Sequence, residues 1–328
     1  MTTDTNKQAT TTTPVSVVIV AWNAKDYVSE CLHSLQHQTI CIPLEVIVVD
    51  NHSADGTAEM VSQEFPEVIL IRNAHNLGFA GGNNEGIRRS TGNHIFLINS
   101  DVNVPPDCLN ALYVYIEQHP EIGILGPRMV APDGKTARSC MRFPTLWNSF
   151  CRALGLDSVF RRSKLFGGFL MRDFNHDHIA SVDVLNGWFW MVRRTALDQV
   201  GLLDERFFMY GEDIDWCRRF HDAGWKVVLY PGAEALHYGG ASSAIAPVRF
   251  SIEMERANLQ CWSKHNGRVR LIGYVLITLL HHALRILGYL AVYVFRRSAR
   301  QQAVFKVKKS LACARWLVAP QLSAGGKA

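Results

Sequence analysis

The segment Tyr210-Gly-Glu212-Asp213-Ile-Asp215-Trp216 places three carboxylates within four residues, just ahead of Arg218 and Arg219. Two acids are enough to cap a helix N-terminus favourably. A third suits a site that removes a proton from a hydroxyl, which needs a carboxylate able to accept that proton in the transition state. Asp213, at the predicted helix start, is the candidate base, and Glu212 and Asp215 are expected to repel its charge and raise its pKa. A second polar cluster lies in FLINSDVNVP (96–105), which opens as a buried strand and then delivers Asn99, Asp101 and Asn103. A carboxylate at such a strand end holds a hard divalent ion such as Mg2+ or Mn2+, with phosphate oxygens and water completing the shell. Two pairings compete for that ion, Asn99 with Asp101 or Asp101 with Asn103. One carboxylate is a weak anchor, so metal binding should depend on a phosphate-bearing ligand.

Asp50 ends another apolar run and precedes Asn51, His52, Ser53 and Asp55-Gly56. This is either an Asx-capped turn or an acceptor for the ring N–H of a nucleobase, with its neighbours on the ribose. The stretch from Asn76 to Gly86 (NLGFAGGNNEG) is no dinucleotide fingerprint, since its glycines do not follow a first strand at GxGxxG spacing, and no Lys-Ser/Thr closes it as a P-loop. Its glycines permit close backbone approach, and its asparagines offer neutral hydrogen bonds. His237, before Tyr238-Gly239-Gly240, is neutral enough at pH 7 to be a metal ligand or phosphate contact. The alternative is a packing residue in a glycine-eased loop. With Ser242 and Ser243, that loop is a candidate lid.

These residues need a frame that brings them together. VSVVIVA (15–21) reads as a central strand, 26–37 as a helix with Val28, Cys31, Leu32 and Leu35 on one face, and 44–49 as a second strand. The alternation continues with helix 57–65, strand 68–71, helix 80–90, strand 94–98, helix 107–119 and a short strand at 122–125. Such alternation predicts a mainly parallel sheet with helices on both faces, and these sheets bind ligands beyond the carboxyl ends of their strands. Asn23, Asp50 and Asp101 all fall at such ends. Residues 131–180 read as an irregular excursion carrying Arg161, Arg162, Lys164 and Arg172. Order returns at 182–194, with helices at 195–200 and 213–223 and a strand at 226–230.

The net charge of +5 is unevenly spread: residues 251–328 carry thirteen Lys or Arg against two Glu, leaving the first 250 residues net acidic. A basic tail implies an anionic partner, and with no nucleic-acid module or basic–aromatic interleaving, that partner is a membrane surface rather than nucleic acid. LIGYVLITLLHHALRILGYLAVYVF (271–295) is long enough to span a bilayer. His281, His282 and Arg285 near its middle make a span costly, so an interface-lying helix or helical pair is at least as good a reading, and a buried helix packing on the body is a further one. Six Lys or Arg among 296–309 suit anionic headgroups. Residues 1–14 are polar and Thr-rich, predicting a disordered tail without a secretory leader. The eight cysteines show no CxxC pairing and read as reduced, mostly buried groups.

The chain from Val15 to Ser242 resembles the inverting family 2 glycosyltransferases, in particular the bacterial rhamnosyltransferase-like branch. The stretches that carry the resemblance, in this order, are VSVVIVAWN, EVIVVDNHSADGT, NLGFAGGNNEG, FLINSD, NGWFWMVRR, GLLDERFFMYGEDIDWCRR and HYGGAS. It implies a GT-A fold over 15–250, an α/β architecture with a mainly parallel Rossmann-like sheet, followed by a basic, apolar helical region over 251–328. It further implies a nucleotide-diphosphosugar donor met by Asn23, Asp50, Asn76, Asn83, Asn84, Asn99 and Asp101. Asp213 matches the catalytic base, with Glu212 beside it. Asn99-Ser100-Asp101 matches the metal-binding motif, where Ser100 replaces the commoner Pro. His237 matches the loop that closes over the diphosphate and joins Asp101 on Mg2+ or Mn2+. Gly187 and Trp188 fall near the acceptor pocket, where relatives often carry Ala in place of Trp. The resemblance implies a lipid-linked saccharide acceptor, best matched by rhamnose transfer from dTDP-rhamnose. Galactofuranose, glucose or N-acetylglucosamine transfer is the alternative, and a catalytically silent scaffold is the reading from another class. The expected location is the cytoplasmic face of the inner or plasma membrane, held peripherally or monotopically, with a homodimer allowed.

Overall fold

The structure is a computed structural model that describes residues 14–239 and 247–319. The tail expected over 1–14, apart from Pro14, and Gly240, Ser242 and Ser243 of the expected lid lie outside the described residues. The chain runs β1 (Val15–Ala21), α1 (Lys25–Gln36), β2 (Leu44–Asp50), α2 (Thr57–Glu64), β3 (Ile69–Arg72), α3 (Gly78–Arg89) and β4 (His94–Asn99). Next come β5 (Val102–Asn103), α4 (Cys108–Gln118) and β6 (Ile122–Val130). The excursion holds β7 (Cys140–Met141), α5 (Leu146–Ala153), α6 (Leu156–Val159) and β8 (Ala180–Ser181). β9 (Val184–Leu185), β10 (Phe189–Arg193), α7 (Arg194–Val200), α8 (Glu212–Asp222) and β11 (Lys226–His237) complete the α/β body. α9 (Pro247–His265), α10 (Arg268–Phe295) and α11 (Arg300–Val318) follow.

Eight strands lie in the order β3-β2-β1-β4-β10-β6-β11-β5, with β8 added beside β11, while β7 and β9 pair apart. β1, β2, β3, β4, β6 and β11 run the same way, and β10 is inserted antiparallel between β4 and β6. The sheet is therefore mixed and mainly parallel. Side chains alternate across it, as strand geometry demands. Val17, Ile19 and Ala21 of β1 join one core with Leu32 of α1 and Leu112 of α4. Val18 joins the other with Ile87 of α3 and Trp216 and Phe220 of α8. Burial on both faces explains why β1 reads as a continuous apolar run.

Two strands run further than the sequence pattern suggests. β6 continues to Val130, and β11 passes Pro231-Gly232 to reach His237. The β11–β6 register breaks between Tyr230 and Glu234, and a bulge there accommodates a proline that regular pairing excludes. The continuation carries His237 to its pairing with Val102.

α9 is integral to the body, since Ala257 and Cys261 are buried in the second core. α10 is one unbroken helix, long and apolar enough to cross a membrane. It packs against α11, α9 and α5 with an inside-out polarity. Tyr274, Thr278 and His282 face inward, and Nε2 of His282 lies 3.3 Å from Oε1 of Glu255 on α9. Ile272, Leu276, Leu280, Leu284 and Leu287 are exposed. The imidazole at mid-helix thus meets a protein carboxylate, and the apolar stripe is the face left outward.

Candidate active site

The register places Ala21 opposite Asp50 and Val20 opposite Asn99, so β1, β2 and β4 end along one edge. The loops beyond are tied together. Asn23, in the left-handed region at φ 49°, donates its amide to Ser53 Oγ and accepts from the Ala54 amide through Oδ1. Asp50 is buried; its Oδ2 accepts from the Ser53 amide at 3.2 Å, while its buried Oδ1 has no hydrogen-bond partner among the described residues. An acceptor in that condition gains most from a ligand N–H. Asn51, expected with the other neighbours of Asp50 to border a ribose, is a buried junction. Its Nδ2 donates to the Gly78 carbonyl and its Oδ1 accepts from Asn73, joining β2 to the start of α3.

The glycines of α3 serve approach to the sheet itself. A Cβ at Gly82 would come within 2.7 Å of Val20 Cγ1, and one at Gly86 would collide with Val18. Gly78, at φ +74°, lies directly against the Phe208 carbonyl, which accepts from the Phe79 amide. Asn76 Oδ1 accepts from the Gly78 amide at the helix start. Asn83 and Asn84 are directed into the protein. Asn83 Nδ2 donates to the Phe79 carbonyl, and Asn84 Nδ2 donates to the Leu203 carbonyl and to Glu205. Asn84 Oδ1 accepts from the Leu203 amide, so its amide group holds the 203–205 loop in place.

β4 stops at Asn99; Ser100 and Asp101 form a turn, and Asn103 enters β5 opposite Leu236. Asp101 faces His237, with Oδ1 3.2 Å from Nε2, while its Oδ2 accepts from the Gly239 amide. The Trp188 ring lies 4.7 Å from the His237 ring, and the Asn99 amide donates to the Trp188 carbonyl. Gly187 and Trp188 precede the antiparallel β10, which brings them to the same edge. A Cβ at Gly187 would press on Phe79 at 3.1 Å and Trp190 at 3.2 Å. Among the described residues no cluster of three metal-ligating side chains is present. One carboxylate and one imidazole nitrogen nonetheless form a donor set that fits a divalent ion whose remaining ligands are phosphate oxygens and water.

Asp213 and Glu212 open α8 behind Gly211, which takes φ 77°. Burial pushes the Asp213 carboxyl up to about 6, against the pull of the Ile214 amide that bonds to Oδ1 at 2.8 Å. Burial, followed by the charge of Asp213, raises Glu212 well above the usual carboxylate range. The expectation for Asp215 needs correction. Its carboxylate is fully buried and contacts Arg219 Nε at 3.0 Å and both Lys264 Nζ and His265 Nε2 at 2.7 Å. Burial alone would raise its pKa, but bonds from His265 and Lys264 and the charge of Arg219 hold it below the usual value. Its charge is therefore compensated within the α8–α9 contact, and the rise at Asp213 comes from burial.

Residues 16–201 match the family described as glycosyl transferase family 2. N-acetylglucosaminyl-diphospho-decaprenol L-rhamnosyltransferase of Mycobacterium tuberculosis is 31% identical over 242 residues, covering 70% of this chain and 78% of that protein. The low-salt glycan biosynthesis hexosyltransferase Agl10 of Haloferax volcanii is 26% identical over 234 residues, covering 70% and 69%. Among solved structures, a mannosyltransferase from Pyrobaculum calidifontis, in complex with GDP-Man and Mn2+, superposes with a TM-score of 0.57 at 16% identity, covering 95% of this chain and 89% of that one. That likeness extends the fold match through the C-terminal helices. With its mixed, mainly parallel sheet and the site at the strand ends, the chain is a GT-A-like protein and belongs to glycosyl transferase family 2.

Proposed function

We propose that this protein transfers a sugar from a nucleotide-diphosphosugar to a lipid-diphosphate-linked saccharide, with inversion at the anomeric carbon, in the synthesis of a cell-envelope polysaccharide. The observation that carries this reading is Asp213, a half-buried carboxylate whose pKa is pushed up to about 6, opening a helix in a family 2 glycosyltransferase. A base with a pKa near the working pH is ionised yet still basic enough to take a hydroxyl proton as the bond forms. Asp213 accepts that proton from the acceptor while the acceptor oxygen attacks from the face opposite the departing nucleoside diphosphate. A single displacement inverts the configuration.

Asp50 receives a base N–H on its unpartnered Oδ1, and the Asn23–Ser53 loop borders the nucleotide. Asp101 and His237 would hold Mg2+ or Mn2+, the latter being the ion present with the Pyrobaculum mannosyltransferase. An ion held there would supply charge that offsets what accumulates on the leaving diphosphate. Trp188, packed on His237, fixes the imidazole and forms one wall toward the acceptor. Rhamnose from dTDP-rhamnose is the proposed donor, following the activity named for the mycobacterial relative.

The inside-out α10 supports attachment in the plane of the cytoplasmic membrane face. Its exposed leucines enter the interfacial region, and the arginines around it meet anionic headgroups. A panel of nucleotide sugars, offered with and without Mg2+ and read as nucleoside diphosphate release, tests donor and metal together. Release restricted to dTDP-rhamnose and lost without divalent ion is the expected result. Release from another sugar nucleotide alone replaces the donor assignment.

A further inference from the structure

The excursion between β6 and β10 builds a second site that the transfer chemistry above leaves unused. Between residues 138 and 172, seven Lys or Arg stand against a single Asp. The fold gathers three of them, Arg138, Arg161 and Arg172, around a cavity of about 450 Å3 also lined by Met141, Leu170 and Asn186. Among the described residues, the ion-pair contact of Arg172 is a long one, to Asp157 at 3.6 Å. Arg161 donates Nε to the Ser158 carbonyl, and among the described residues neither Arg161 nor Arg138 has a carboxylate within ion-pair distance. Three guanidiniums converging with so little compensation repel one another unless an anion joins them, and guanidinium forks match phosphate oxygens in geometry.

The surroundings narrow the anion. On one side, Asn186 lines the cavity and its carbonyl accepts from the Trp188 amide at 2.8 Å, so the cavity wall continues into the tryptophan packed on His237. On the other, Val159, Phe160 and Leu165 of the same excursion are 72%, 49% and 61% exposed. Helix α5, in that excursion, packs on α10, where Leu146 approaches Gly273. A charged pocket thus lies between the reaction edge and an apolar rim that leads to the outward stripe of α10. We infer that Arg138, Arg161 and Arg172 bind the diphosphate of the lipid-linked acceptor, with the lipid chain leaving over Val159, Phe160 and Leu165. The buried Oδ1 of Asn186, without a hydrogen-bond partner among the described residues, is placed to accept from a hydroxyl of the sugar next to that diphosphate. This assignment deepens the proposed function and rests on its lipid-linked acceptor.

The test is calorimetric titration of the full-length protein in detergent with farnesyl diphosphate, farnesol and inorganic pyrophosphate. EDTA is included so that no metal-assisted binding at Asp101 and His237 contributes. Farnesyl diphosphate should bind, pyrophosphate more weakly, and farnesol not measurably. Arg138→Gln/Arg161→Gln should weaken farnesyl diphosphate about tenfold or more, while the charge-preserving Arg138→Lys/Arg161→Lys loses less. Equal thermal midpoints would show that the variants are folded, and the single Arg161→Gln serves if the double variant is not. Affinity unchanged by the glutamine substitutions, or no binding to the wild-type protein, would overturn the assignment. Pyrophosphate binding as tightly as farnesyl diphosphate would replace the lipid with free diphosphate. Failure of the donor panel to release any nucleoside diphosphate would refute the transferase reading and leave this titration legible on its own.

Discussion

His237 Nε2 lies 3.2 Å from Asp101 Oδ1, a contact that joins the end of the twelve-residue β11 to the turn after β4. These two side chains supply one imidazole nitrogen and one carboxylate, too few to hold a divalent ion firmly alone. Mn2+ should therefore bind weakly to the isolated protein and much more tightly once a nucleoside diphosphate is added. Electron paramagnetic resonance of free Mn2+ measures this directly. Loss of a ligand should cost no less than loss of a supporting residue, so His237→Ala should weaken nucleotide-dependent Mn2+ binding at least about tenfold. Equal Mn2+ affinity with and without nucleotide would contradict the two-ligand site.

The elevated pKa of Asp213 sets a pH profile. As the proposed base, Asp213 would work ionised, so the active fraction should be lost as pH falls through about 6. Below that point kcat/KM should decline about tenfold per pH unit, with a plateau above it. A profile flat from pH 5 to 8 under donor-saturating conditions would separate Asp213 from proton transfer.

Much of this site was legible before the fold was known. Asn23, Asp50 and Asp101 each follow an apolar strand, and parallel strands end on one side, so their convergence is a consequence of pattern. What local pattern does not carry is who neutralises whom. Asp215 reads like its neighbours Glu212 and Asp213, yet its partners Lys264 and His265 come from α9, remote in sequence. The β11 extension was hidden for a similar reason. Pro231-Gly232 reads as an end, and only pairing with β6 across a bulge shows the strand continuing. Asn51 reads only as a neighbour of Asp50 beside the ribose, because its junction role depends on Gly78 and Asn73 arriving beside it.

Asp215 then makes a stability prediction. Removing one member of a buried ion cluster leaves the remaining charges uncompensated, which costs about 3–5 kcal/mol. Asp215→Ala should show that loss in urea unfolding at pH 7. Because the folded-state pKa is depressed, the contribution is complete above the ordinary aspartate pKa of about 4 and disappears as pH falls through the lower folded value. The gap between wild type and variant should therefore narrow in acid.

The α3 glycines predict a packing penalty. Gly86→Ala drives a methyl into Val18 and Gly82→Ala drives one into Val20 and Asn51. Each should destabilise by about 1–3 kcal/mol, read as a lowered thermal midpoint. Gly134→Ala meets nothing within 4 Å but sits at φ +76°, so its cost should be the backbone strain alone, about 1 kcal/mol.

The outward stripe of α10 predicts vesicle binding. Leu276→Glu/Leu287→Glu alters two leucines that are more than half exposed and should leave the thermal midpoint nearly unchanged while abolishing co-sedimentation with vesicles containing anionic lipid. Retained binding would place membrane contact elsewhere on the protein.

The base assignment meets its most direct test in Asp213→Asn, assayed as nucleoside diphosphate release from the accepted donor in the presence of acceptor. Loss of the positioned base should lower kcat by about a hundredfold or more, with nucleoside diphosphate affinity close to wild type. Turnover equal to wild type in a folded Asp213→Asn protein would contradict it.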